Sequence, residues 1–138
     1  MRTIKFRAKS VPQKEWIYGF LCFAAKAFGM PLDSLTIQEF NKDGGSAIAY
    51  RYIDEQTIGQ FTGLKDINGK DIYEGDIIKD NNEFPFNGNY IVTWDNYYSR
   101  FQCNSTKTDG YLCLHDFAKP IVIGNIYDNP ELIVPTLQ

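Results

Sequence analysis

The sequence predicts a mainly β protein, with a small β-barrel in its C-terminal part preceded by an N-terminal β-hairpin region and at most one short helix. Three observations predict this. Aromatic residues make up 15% of the 138-residue chain, with 10 Phe and 9 Tyr, the composition of pleated, half-buried surfaces rather than of helix bundles. Apolar residues recur with a period of two in short runs. Turn residues punctuate those runs at close spacing, most densely over residues 57–79, which hold four glycines. The length fits one domain, or one domain with a small appendage. A boundary is expected near residues 54–56, which divides the chain into a hairpin region at 1–56 and a barrel domain at 57–138.

The elements follow in order. Residues 3–9 alternate, with Ile4, Phe6 and Ala8 on one face and Thr3, Lys5, Arg7 and Lys9 on the other, as a half-buried strand does. Val11 to Lys14 reads as a turn, and residues 15–23 as a more buried strand that completes a hairpin. This hairpin is hydrophobic on the face carrying Trp16, Tyr18 and Phe20. It needs something to pack on, because a lone hairpin is marginally stable, and a neighbouring subunit is the expected support. Residues 24–28 read as a helical turn stopped by Gly29 and Pro31. A strand is expected at 35–40, a turn at 41–45, and a strand at 47–53. Residues 57–61 are β-like. Asn68-Gly69 is the clearest tight turn, since Asn-Gly supplies the positive φ that hairpin turns require. Glu74-Gly75-Asp76 forms a second corner and opens a strand at 77–79. A polar loop over 80–89 follows, then strands at 90–94, 100–103, 111–114 and 121–127. In the last of these Ile121, Ile123 and Ile126 are expected to be buried, with a break at Gly124-Asn125, and Asn129-Pro130 should terminate it.

Composition narrows the function. The net charge of −3 and a pI near 5.1 disfavour a general nucleic-acid binder, which carries excess Lys and Arg to neutralise phosphates. The row Lys5, Arg7 and Lys9 is the basic patch that could touch phosphates; as the outer face of an edge strand it equally serves to discourage aggregation. Cys22, Cys103 and Cys113 form no CxxC pair, so a reducing cytoplasm is the expected setting and no disulfide framework is expected. The basic N-terminus and the apolar run at 16–25 imitate a signal peptide, but Lys14 and Glu15 abut that run and the basic segment alternates like a strand, so this reading is rejected. No run approaches the ~20 apolar residues of a membrane-spanning helix.

Motifs that could carry chemistry are sparse. Gly63 to Lys70 departs from a phosphate-binding loop: five residues separate the glycines, and Asp71 follows the lysine where Ser or Thr is needed. Asp66 to Gly69 departs from a calcium loop, because Leu64 and Gly75 would occupy its first and twelfth positions. Cys113 and His115 would share one strand face, but Cys113 reads as core and His115 as the exit from the strand. No second metal ligand stands at a recognisable spacing from this histidine. Asp66, Asp71, Glu74 and Asp76 cluster as paired acids do in acid–base or cation sites, yet acids in such turns commonly bond to backbone amides. We therefore assign no catalytic, metal-binding or cofactor-binding residue from the sequence.

The opening Ile4-Lys5-Phe6-Arg7-Ala8, the glycine-rich stretch over residues 57–77 and the run over residues 122–132 together resemble the YopX family of phage and prophage proteins, the opening run matching that family's first strand. A central signature contains Gly59, Gln60, Thr62, Gly63, Leu64, Asp66, Asn68, Gly69, Tyr73, Glu74, Gly75 and Asp76. A C-terminal signature contains Gly124, Asn125, Tyr127, Asn129 and Pro130. Asp54-Glu55-Gln56 stands where the family often has Asp-Pro-Glu. The resemblance implies an SH3-like barrel in the C-terminal part, a phage or prophage origin, self-association, and no established catalytic residue. The signature residues read as structural. The resulting expectation is a non-enzymatic oligomeric protein-binding module of the cytoplasm, without cofactors, whose partner is a phage or host protein. The alternatives are a nucleic-acid-associated barrel using Lys5, Arg7, Lys9 and exposed Tyr97, Tyr98 and Phe101, and a small enzyme built on the turn carboxylates.

Overall fold

The computed structural model describes residues 1–23, 34–39, 50–81 and 88–133. These carry β1 (Phe6–Ser10), β2 (Trp16–Phe23), β3 (Leu35–Glu39), β4 (Tyr50–Lys65), β5 (Asp71–Tyr73), β6 (Asp76–Asp80), β7 (Tyr90–Asp95), β8 (Arg100–Ser105), β9 (Tyr111–Cys113) and β10 (Pro120–Asn125), with 3-10 turns at Leu114–Asp116 and Pro130–Leu132. The helical turn expected at 24–28 and the turn expected at 41–45 lie outside the described residues, as does most of the loop at 80–89. The chain divides into two compact units, Met1–Phe61 and Thr62–Gln138. The boundary expected at 56/57 lies within the continuous strand β4. Among the described residues no helix is long and apolar enough to cross a membrane.

In the first unit, β1 and β2 form the expected antiparallel hairpin, with Ala8 opposite Ile17 and Arg7 opposite Tyr18. β2 pairs with β3, and β3 with the start of β4. β4 also returns to pair with the free edge of β1, Ser10 opposite Ile53 and Arg7 opposite Gly59. The hairpin is thus bonded on both edges within its own unit. Its core face is Ala8 and Ile17, packed with Ile37 and Ile53 and flanked by Leu21, Leu35 and Ile58. Trp16, Tyr18 and Phe20 take the opposite face. Between Lys9 and Arg7 the register with β4 shifts. There the buried Thr57 hydroxyl accepts from Lys9 N at 2.8 Å and donates to Asp54 O at 2.6 Å, bridging the extra residues of β4.

In the second unit, five antiparallel strands run in the order β10-β6-β7-β8-β9. The core gathers Ile72, Ile78, Tyr90, Val92, Cys103, Leu114 and Phe117, with Leu112 and Val122 against it. Tyr90 and Phe117 meet edge to face at 5.2 Å. β10 lies on the sheet edge, so Ile121, Ile123 and Ile126 are half-buried instead of buried, and Val122 is the residue that reaches the core. The expected break in alternation is a register shift between Val122 and Gly124. The strand ends at Asn125, ahead of Asn129-Pro130.

Gly19 of β2 lies close against β3. A Cβ there would stand 1.9 Å from the backbone oxygen of Gln38, and backbone cannot yield as a flexible side chain does. Gly19→Ala is expected to lower the unfolding free energy by about 3 kcal/mol. The denaturant midpoint, measured with the slope unchanged, checks this; an unaltered midpoint would contradict the packing described.

Candidate functional site

The second unit brings its share of the central signature against the C-terminal one. The turn after β4 is closed by Asp66 N donating to Lys70 O at 2.8 Å and Gly69 N donating to Asp66 O at 3.0 Å. Gly69 holds φ of +81°, which a β-branched residue resists. The Asp66 carboxylate is buried at this point. Its Oδ1 accepts from Asn68 N and Lys70 N, both at 2.9 Å, and its Oδ2 accepts from Val122 N of β10 at 3.1 Å. Ile67 N adds a bond to Pro120 O at 3.0 Å. One carboxylate therefore shapes the turn and fastens it to the last strand.

The other signature residues work in the same way. Thr62 Oγ1 donates to Ile72 O at 2.8 Å and accepts from Leu64 N, with Gly63 at φ +88° between them. At the second corner, Asp76 Oδ2 accepts from Tyr73 N at 2.8 Å. Glu74 is half-buried. Gly75, at φ +87°, donates its N–H to Val92 O, and its carbonyl accepts from Ile126 N at 2.9 Å. Asp76 and Asn125 are register partners in the β6–β10 ladder. In the C-terminal signature, Asn125 Oδ1 accepts from Tyr127 N and Asp128 N, and Asn129 Oδ1 accepts from Asn125 N at 3.1 Å. A Cβ on Gly124 would lie 2.5 Å from that same Asn129 oxygen. Pro130 then opens a 3-10 turn. In the first unit, Gly59 is buried opposite Arg7 and Gln60 pairs with Phe6. The signature carboxylates Asp66 and Asp76 thus accept backbone N–H groups, and Asp71 pairs with Lys65 Nζ at 2.6 Å.

Burial raises the pKa of Asp66, but the three backbone donors and the nearby Lys70 outweigh it, so the carboxyl titrates below its ordinary 3.8. Because the folded value lies beneath the unfolded one, the stabilisation is complete above about pH 4 and is lost as pH falls through the folded value.

The basic residues do not form the exposed row that alternation implies. Arg7 is 4% exposed. Its guanidinium lies 4.4 Å from the Trp16 ring, Lys9 Nζ lies 5.4 Å from the same ring, and Lys5 Nζ lies 4.6 Å from Phe61. Pairing of β1 on both edges removes the edge-strand setting that would have exposed Arg7, and the aromatic faces of its own unit receive the cations.

The second unit does present a surface cluster, at the β7–β8 turn. Asp95 accepts from Tyr97 N and Tyr98 N and so fixes that turn; Ser99 holds φ of +52°. Tyr97 is 85% exposed and Tyr98 55%, with their rings edge to face at 4.8 Å. Trp94 meets its register partner Phe101 at 5.0 Å. Arg100 lies 4.6 Å from the Tyr98 ring and 5.9 Å from Tyr111. Sequence reasoning identified Tyr97, Tyr98 and Phe101. It missed Trp94, the register partner of Phe101, and Arg100 and Tyr111, which belong to a second group on the other face of the sheet, where Tyr111 is the register partner of Asn104.

The sequence profile of the YopX protein family matches residues 5–134. The chain belongs to that family. The crystal structure of protein EF1440 from Enterococcus faecalis superimposes with a TM-score of 0.57 at 25% identity, over 97% of this chain and 100% of that one. No curated protein matches the chain.

Replacing the Asp66 carboxylate should separate its two tasks. Asp66→Asn keeps the shape but sets an amide N–H against backbone donors, and is expected to cost about 2 kcal/mol at pH 7. Between pH 4 and pH 2.5 wild-type stability should fall more steeply than that of the variant. Urea titrations across that range check both; parallel pH profiles would show that Asp66 titrates normally.

Proposed function

We propose that this member of the YopX family is a non-enzymatic, self-associating binding module of phage or prophage origin. On this reading the second unit acts as an SH3-like barrel that offers the aromatic residues of the β7–β8 turn, Trp94, Tyr97 and Tyr98, to another protein chain, a phage or host protein included. The aromatic cluster carries the reading. Trp, Tyr and Arg are the residues in which protein-binding energy concentrates. Here the rings are held edge to face and the turn beneath them is fixed by Asp95, so little side-chain entropy remains to be lost on binding. The use of the signature carboxylates as backbone acceptors supports a structural role for the signatures over a catalytic one. Cys22, Cys103 and Cys113 are all unpaired, which supports a cytoplasmic setting.

The position of Arg100 against Tyr98 and near Tyr111 favours a second reading, in which these residues stack single-stranded nucleic acid. Charge ranks it below the first: the net charge is −3, and the Arg7 guanidinium is buried against Trp16.

Light scattering at micromolar concentration tests the first reading. The wild-type chain is expected to be oligomeric, and the double variant Trp94→Ala, Tyr98→Ala to be a smaller species with an unchanged thermal midpoint. A monomeric wild type would overturn self-association. In fluorescence anisotropy at physiological salt, a labelled oligonucleotide is expected to bind no tighter than about 10⁻⁵ M. Nanomolar binding that weakens steeply with salt and is lost in Tyr98→Ala would move the assignment to the second reading.

A further inference from the structure

We propose that the turn after β9 is a binding site for a divalent cation of the zinc class, with Cys113 Sγ, His115 Nε2 and Asp116 Oδ1 as its ligands. β9 ends at Cys113, and the chain passes directly into the 3-10 turn Leu114–Asp116. In a 3-10 turn, residues three apart eclipse, which sets Asp116 over Cys113. Asp116 Oδ2 accepts from Cys113 N at 3.0 Å and so fixes the carboxylate beside the thiol. Its other oxygen, Oδ1, lies 3.5 Å from His115 Nε2. The ligand atoms of all three residues fall within 4.8 Å of one another.

These distances suit a tetrahedral ion. Bonds of about 2.1 Å to nitrogen and oxygen give tetrahedral edges of about 3.4 Å, so the His115–Asp116 edge is already in place. Closing the remaining edges needs about an ångström of movement, and the His115 side chain, 79% exposed, is free of packing that would oppose it. The base of the turn is rigid: Leu114 and Phe117 on either side of the pair are core residues. One thiolate, one imidazole and one carboxylate select zinc-like ions over magnesium or calcium, which prefer oxygen alone. Cys103, the other cysteine of this unit, is fully buried in the core, so Cys113 is the available donor.

Three protein ligands leave a fourth position for water or solute, the arrangement of open rather than closed zinc sites. His115 also borders a cavity of about 310 Å³ walled by Ile72, Leu114 and Phe117, with Lys65 at its edge. The Cys-Leu-His-Asp spacing is not a recognisable metal motif, and the 3-10 turn is what assembles it. The competing account is that Asp116 only caps the turn and His115 only forms a surface ion pair.

Cobalt titration of the full-length, metal-free protein under a non-chelating reductant distinguishes the two. The expected result is one Co²⁺ per chain, with a thiolate-to-cobalt charge-transfer band and the intense d–d bands of tetrahedral cobalt, all displaced by added Zn²⁺. Cys113→Ser should abolish the charge-transfer band. His115→Gln should weaken affinity at least tenfold. Asp116→Asn should weaken it while its amide oxygen still caps Cys113 N, so circular dichroism stays that of wild type. Cys22→Ser should bind like wild type. Affinity should fall on acidification, because protons compete with the metal for its ligands. Absence of a charge-transfer band, or a band that survives Cys113→Ser, would overturn the site. Neither outcome bears on the partner surface at Trp94, which uses different residues.

Discussion

The second unit depends on one buried carboxylate. Asp66 accepts three backbone N–H groups, two from its own turn and one from Val122. The β6–β10 pairing that places Val122 against the core holds one side of that strand, and the Asp66 turn holds the other, through Val122 N and through Ile67 N on Pro120 O. A charged acceptor forms stronger hydrogen bonds than a neutral one, and burial makes its loss expensive. The link joins residues 56 apart in sequence, so it closes a long loop and gives the two signatures a common reason to exist. Gly75 and Asn129 extend the same logic: a backbone carbonyl and an amide oxygen each meet a donor from the C-terminal signature.

Local chemistry made much of this legible in the sequence. Asn68-Gly69 and Glu74-Gly75 announce positive φ, and both glycines adopt it. The 6–10 and 16–23 strands alternate and pair as a hairpin. The carboxylate oxygens of Asp66 and Asp76 meet backbone donors at their own corners. What the sequence could not show were long-range partners. Nothing near Asp66 names Val122. Alternation placed Arg7 in solvent because it cannot tell an edge strand from one paired on both sides, and β4 supplies the second partner from fifty residues away. Val122 takes the core place expected of Ile121 and Ile123 because it is the register partner of Ile78, itself a core residue.

The candidate sites were legible to different degrees. Tyr97 and Tyr98 stand out as adjacent aromatics between polar residues. Trp94 and Phe101 become neighbours only once the β7–β8 register is known. Cys113, His115 and Asp116 lie within four consecutive residues, yet a strand reading puts the acid on the wrong face. The switch from a period of two to a 3-10 turn at Leu114 turns it back.

The chain has two tryptophans, one in each unit: Trp16 in the first, beside Arg7 and Lys9, and Trp94 in the second, against Phe101. Each unit therefore carries its own intrinsic fluorophore. Trp16 sits between cations and is quenched or shifted by their departure, whereas Trp94 reports on solvent and on whatever covers its ring. Single-tryptophan variants resolve whether the two units melt as one cooperative body or in succession, without any attached label.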